Sequence, residues 1–177
     1  FNGIRRAEES SSLPLRKLFP IVLIALGCFL PYLNSFHNSF VFDDEGSIVS
    51  NPLIKNLSNF LPGGAGWKRY PTRMIGYLSF AVNYQFGDLD PFGYHLVNVA
   101  IHFANAILIY GIVLLALRTP VLYRAREEMA FENLPFLTAL LFAVHPAQTE
   151  AVSYVVQRLT SLSSMFYLGS LLGYAKG

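Results

Sequence analysis

Apolar residues gather along the chain in long stretches at 18–36, 94–117, 131–146 and 148–175, separated by segments with a different rhythm. A helix needs about 20 apolar residues to cross a bilayer, and three of these stretches approach or exceed that length. The stretch at 131–146 is short, so it must start early or be shielded by its neighbours. Between the first two lies a mixed segment, 37–93. Within it Asn51-Pro52 has the form of a helix start, a capping Asn followed by Pro. Leu53, Ile54, Leu57, Phe60 and Leu61 then share one apolar face before Pro62-Gly63-Gly64 ends the run. A further run, 72–86, is mostly apolar, with Arg73, Gly76, Ser79 and Asn83 on one narrow face. The pattern predicts an all-α integral membrane protein with about four transmembrane helices. Two further helices, near 52–61 and 72–86, are expected to lie in the membrane interface.

Composition agrees with that class. The chain is 53% hydrophobic and 14% charged, against about a quarter charged for a soluble domain. Its mean hydropathy is +0.41. A net charge of +2 gives no ground for a nucleic-acid partner. One cysteine, Cys28, excludes a disulfide within the chain and a cysteine metal site. The basic flank before residue 18 resembles that of a signal peptide, but the run lacks a small-x-small cleavage site and exits through Pro31-Tyr32-Leu33-Asn34, so it reads as a retained helix. Beginning at Phe1 and stopping just after an apolar stretch, the chain reads as a portion of a longer protein.

Charge sets the expected topology. Arg5, Arg6, Arg16, Lys17, Arg118, Arg124, Arg126 and Lys176 fall on one side of the membrane. Lys55, Lys68, Arg69 and Arg73 lie in the much longer loop opposite. By the positive-inside rule the N-terminal segment 1–17 and the loop 118–130 are cytoplasmic, and 37–93 is external.

Polar residues then appear where they are costly. His95, Asn98, His102 and Asn105 recur on one helical face of the second stretch, so that face meets protein or a water-filled cavity rather than lipid. Interhelical hydrogen bonding explains such a row, above all at Asn105; a ligand role stands beside it for His95. In the last stretch Glu150, Tyr154, Gln157, Ser161 and Ser164 follow helical spacing, with Arg158 beside them. A guanidinium at that depth needs an acid or an anionic ligand, and its planar donors suit phosphate. Asp43-Asp44-Glu45 follow the first stretch at its external end. A solvated turn is the ordinary reading of such a run. Carboxylates at that junction also suit a general base or an oxygen site for a divalent cation.

"FVFDDEGSIVSNPLI", "YLSFAVNYQFGDLDPFGYHLVNVAIHFANA" and "HPAQTEAVSYVVQRLTSLSSMFYLGSLLGY" together resemble, in that order, the N-terminal membrane region of TMTC-type proteins. Those are multi-pass GT-C glycosyltransferases of O-mannosyltransferase type followed by tetratricopeptide repeats, with prokaryotic relatives of the same layout. The resemblance runs over residues 38–177 and departs at Met74, where the family usually has Pro after the arginine. It implies transfer of a sugar from a polyprenyl-phosphate-linked donor to an acceptor hydroxyl on the external face. Asp43 and Asp44 occupy the family's catalytic acidic position, with Mg or Mn as the cation they would hold. Arg73, His95, His102, Glu150, Gln157 and Arg158 are the expected sugar and phosphate contacts. The wording of the motifs favours a bacterial inner membrane over an endoplasmic reticulum. Two other readings stay open: a non-catalytic subunit packing against partners in a larger membrane complex, and a fragment of a transporter.

Overall fold

The computed structural model describes residues 18–120, 122 and 133–177. The expected cytoplasmic segment 1–17, most of the loop 118–130 and the start of the stretch at 131 lie outside the described residues. Among the described residues the chain is helical, without strands.

Helix α1 covers 18–29 and tightens into a 3-10 helix, Leu30–His37, with Pro31 in its first turn. Pro lacks the N–H that a continuing α-helix would donate, so the tightening begins where the sequence places it. A π-turn at Glu45–Val49 and 3-10 turns at Pro52–Lys55 and Leu57–Phe60 follow. The single interfacial helix expected near 52–61 is thus two short turns. Asn56 separates them in an extended conformation, and its Oδ1 accepts from Ser58 N at 2.9 Å, starting a second cap. Helix α2 is Ala65–Arg69, and α3 is Met74–Gly87. Helix α4, Pro91–Ala116, is capped by Asp90, whose Oδ1 accepts from Phe92 N at 3.1 Å. Its 26 residues span about 39 Å at 1.5 Å each.

Helix α5, Leu134–Val144, has 11 residues. After the His145-Pro146 turn come α6, Thr149–Ser153, a 3-10 turn, Val155–Gln157, and α7, Arg158–Lys176. The expected helix over 148–175 is therefore broken at Tyr154, whose ψ of 112° is extended. Among the described residues two helices are long and apolar enough to cross a membrane, Leu18–His37 and Pro91–Ala116. The expectation of about four spans is corrected to that extent: α5 is too short, and α7 is interrupted by hydroxyl residues and bounded by Arg158 and Lys176.

Helix α4 is the axis on which the rest packs; α5, α7, α3, α6 and the 3-10 segment after α1 all touch it. Small residues make this possible. Ala106, Ala139 and Ala143 are fully buried with Ile24 and Cys28, so α1, α4 and α5 approach closely. At the other end Ile48, Ile54, Phe60, Tyr77, Phe80, Tyr94 and Val155 form one cluster. It welds the loop 45–60 to α3 and the first turn of α4. Tyr32, Phe36, Val99 and Val152 join the 3-10 helix after α1 to α4 and α6.

Candidate functional site

The polar row on α4 points inward along its whole length. His95 and Asn98 are each 1% exposed, His102 and Asn105 each 3%. Each is tied to backbone carbonyls of a different neighbour. His95 Nε2 donates to Asn38 O at 3.1 Å, His102 Nε2 to Ala143 O at 3.0 Å, and Asn105 Nδ2 to Ser161 O at 3.1 Å. Asn98 Nδ2 faces the carbonyls of Val152, Tyr154 and Val155 at 3.2, 3.4 and 3.3 Å. Those are the acceptors freed where α6 ends, so Asn98 supports the break before α7. The row serves as interhelical ties, including His95, for which the sequence also allowed a ligand role.

Arg158 is fully buried. Its Nε donates to Asn98 Oδ1 at 2.8 Å and its Nη2 to Tyr94 O at 2.8 Å. Its Nη1 reaches Asn83 Oδ1 at 2.6 Å and both oxygens of Ser79 at 3.2 Å. The guanidinium also lies over the Phe80 ring, 4.7 Å from its centre. The phosphate reading of Arg158 is therefore corrected. Its donors are spent on neutral acceptors of α3 and α4, which explains the polar face of α3: Ser79 and Asn83 receive this side chain.

These ties fix the segment 152–158, and that segment positions the acidic run. Asp44, 1% exposed, accepts from Val156 N through Oδ1 at 2.7 Å and from Val41 N through Oδ2 at 3.1 Å. Asp43 N donates to the Tyr154 hydroxyl at 2.9 Å. Burial pushes the Asp44 carboxyl above the ordinary carboxylate range, with the bonds from Val41 and Val156 opposing the shift. Just before the pair, Phe42 has φ 49°, a left-handed conformation uncommon for a residue with a side chain. Asp44 thus clasps two loops together, while Asp43 stays exposed. The two aspartates are not a matched pair. Asp44 is buried and bonded through both oxygens, so of the two only Asp43 presents its carboxylate to solvent. Among the described residues no group of three His, Cys, Asp or Glu is placed to hold a metal ion.

Asp43 opens on a cavity of about 400 Å³ that it shares with Arg73, Tyr154, Gln157, Thr160 and Ser163. Arg73, exposed, stands at the N-cap of α3. Gly76 lets α3 sit close against Leu159 of α7, since a Cβ there would meet the Leu159 side chain; this brings Arg73 to the cavity rim. Gln157 is held from both sides, donating to Glu150 Oε1 at 3.4 Å and accepting from Thr160 Oγ1 at 2.9 Å. Of the expected contacts, the structure brings Asp43, Arg73 and Gln157 together, with Glu150 acting through Gln157. His102 lines a different cavity. Tyr154 belonged to a recognised polar stripe without a role; Thr160 and Ser163 carried no separate signal, their placement depending on the break at Tyr154.

No family model matches the chain, and no solved structure matches it. Among curated proteins it is 34% identical to Protein O-mannosyl-transferase Tmtc3 of Drosophila melanogaster, over 97% of this chain and 20% of that protein. It is 30% identical to Protein O-mannosyl-transferase F38B6.6 of Caenorhabditis elegans, over 96% of this chain and 24% of that protein. Human Protein O-mannosyl-transferase TMTC4 is 33% identical over 86% of this chain and 22% of its own length. The chain thus spans about a fifth of the length of the curated relatives it matches. Related along nearly all of its own length, it belongs to the TMTC-type protein O-mannosyl-transferase family.

Proposed function

We propose that this chain is the part of a membrane glycosyltransferase that carries its catalytic base, transferring a sugar from a polyprenyl-phosphate donor to an acceptor hydroxyl on the external face. The observation that carries the reading is the cavity in which an exposed carboxylate, Asp43, and an exposed guanidinium, Arg73, face one space with hydroxyl and amide groups between them. The names of the relatives support the reaction class, and two helices long and apolar enough to cross a membrane support a membrane setting.

The chemistry follows from the lining. The Asp43 carboxylate takes the proton of the acceptor hydroxyl as its oxygen bonds to the anomeric carbon. The bond from that carbon to the phosphate oxygen breaks, and the lipid phosphate leaves carrying the electron pair. Arg73 stabilises it with planar donors. Gln157, Thr160 and Ser163 offer neutral hydrogen bonds to the sugar. Asp44 and Arg158 act upstream of the chemistry, holding the loop that presents Asp43. A packing subunit is the second reading, favoured by the purely internal bonding of Arg158 and Asp44; it gives Asp43 and Arg73 no purpose.

The test uses the full-length protein. Asp43→Asn should reduce transfer by about 100-fold or more with unchanged thermal stability, and Arg73→Gln should raise the KM for the donor. Full activity in Asp43→Asn would remove the base and leave the packing reading.

A further inference from the structure

Backbone strain falls on the residue just before the proposed base. Phe42 has φ 49°, and its side chain is 87% exposed, so little packing of its own compels that conformation. A residue with a Cβ stays at positive φ only where its surroundings over-determine it. Here they do so from two sides. On one side Asp44 closes the turn. Its Oδ2 accepts from Val41 N at 3.1 Å and its own N–H donates to Val41 O at 3.0 Å, while Glu45 N donates to Phe42 O at 3.2 Å. On the other side stands Tyr154, more than a hundred positions away. Its hydroxyl accepts from Asp43 N at 2.9 Å, and the Phe42 ring meets its ring edge-on, 6.3 Å between centres at 83°.

Tyr154 is the fixed member of this contact. Its N–H donates to Glu150 O at 3.1 Å, and its carbonyl accepts from Gln157 N at 3.1 Å and faces Asn98 Nδ2 at 3.4 Å. The break between α6 and α7 therefore carries the ring, and the acidic loop comes to it. A phenol hydroxyl both accepts and donates. Its accepting side is taken by the Asp43 N–H, and the nearest charge for its hydrogen is the Asp43 carboxylate. Burial pushes the phenol pKa up; the Asp43 N–H opposes that shift and the Asp43 carboxylate adds to it. One hydroxyl thus meets both the backbone and the side chain of the residue with which it shares a cavity.

We infer that Tyr154 is a positioning residue, whose hydroxyl holds Asp43 by its N–H and its carboxylate so that the carboxylate faces the cavity. This rests on the reading of Asp43 as the base. Tyr154 does no chemistry itself. It removes orientations of the 42–43 segment in which the carboxylate turns away from the acceptor hydroxyl. A reacting group misplaced by about 1 Å can cost on the order of 100-fold in rate, so one such tie has a measurable effect.

The experiment measures steady-state sugar transfer by the full-length protein in lipid nanodiscs, for Tyr154→Phe, Asp43→Asn and the double variant, with rates expressed per folded enzyme. Tyr154→Phe keeps the ring and its contact with Phe42 and removes the hydroxyl alone. It should lower kcat about tenfold with the donor KM unchanged. In the Asp43→Asn background the same substitution should change the rate by less than about twofold, since residues acting through one another are not additive. An unchanged kcat in Tyr154→Phe overturns the inference. So does a raised KM at constant kcat, which makes the hydroxyl a substrate contact. A further tenfold loss in the Asp43→Asn background also overturns it, because Tyr154 then acts independently of Asp43. Full activity of Asp43→Asn removes the base and this role together, whereas an inactive Asp43→Asn beside a fully active Tyr154→Phe removes this role alone.

Discussion

A buried guanidinium with five neutral acceptors is a demanding arrangement, and Arg158 shows what it accomplishes. It joins α7 to α3 through Ser79 and Asn83, and to α4 through Asn98 and the Tyr94 carbonyl. Lysine cannot replace it, because one ammonium cannot reach acceptors spread over this fork. Arg158→Lys should lower stability by about 3 kcal/mol, and Arg158→Met by about as much, by leaving buried acceptors unpaired. Chemical denaturation of the purified protein measures both; a loss below about 1 kcal/mol contradicts the role. Asp44 makes a pH-dependent prediction of the opposite sense to a surface ion pair. Its folded-state pKa is raised by burial, so its contribution to stability is fully present below the ordinary carboxylate pKa, about 3.9. That contribution is lost as pH rises through the raised value. The stability difference between the native protein and Asp44→Asn should therefore shift in favour of the native protein on acidification. A difference that moves the other way contradicts the burial argument.

Elements in this chain end where side chains from elsewhere take over their backbone groups. The break between α6 and α7 has no Pro or Gly to announce it; residues 153–156 read Ser-Tyr-Val-Val. Its cause is Asn98, more than fifty positions away, which donates toward the carbonyls of Val152, Tyr154 and Val155. Asn98→Ala should make the amides of 152–158 exchange about tenfold faster or more with solvent, while those of α4 above Ala106 stay protected; uniform loss of protection would contradict a local tie. This explains what was legible beforehand. The inward face of α4, the capping Asn51 and the His145-Pro146 turn are local patterns, visible from spacing and from one or two residues. The break at Tyr154 and the separate fates of Asp43 and Asp44 depend on long-range hydrogen bonds, whereas 52–60 is split by a local cap at Asn56 that its continuous apolar spacing masks. Arg158 was recognisable as costly, but whether its partner is a ligand or the fold is settled by residues on α3 that the chain brings back only after folding.

At the scale of the molecule, α4 acts as a spine, and the acidic loop hangs from it through Asn98, Arg158 and the 152–158 segment. The arrangement separates two tasks. Asp44 and Arg158 are internal and hold the fold together, whereas Asp43 and Arg73 are exposed at one cavity rim. The most direct measurement of the central claim is a structure of the full-length protein in lipid with a polyprenyl-phosphate sugar bound. The account predicts the phosphate within hydrogen-bonding reach of Arg73 and the anomeric carbon facing the Asp43 carboxylate, with Arg158 unmoved from Asn98 and Asn83. A donor seated elsewhere, with Asp43 turned to bulk solvent and Arg158 swung onto the phosphate, would contradict it.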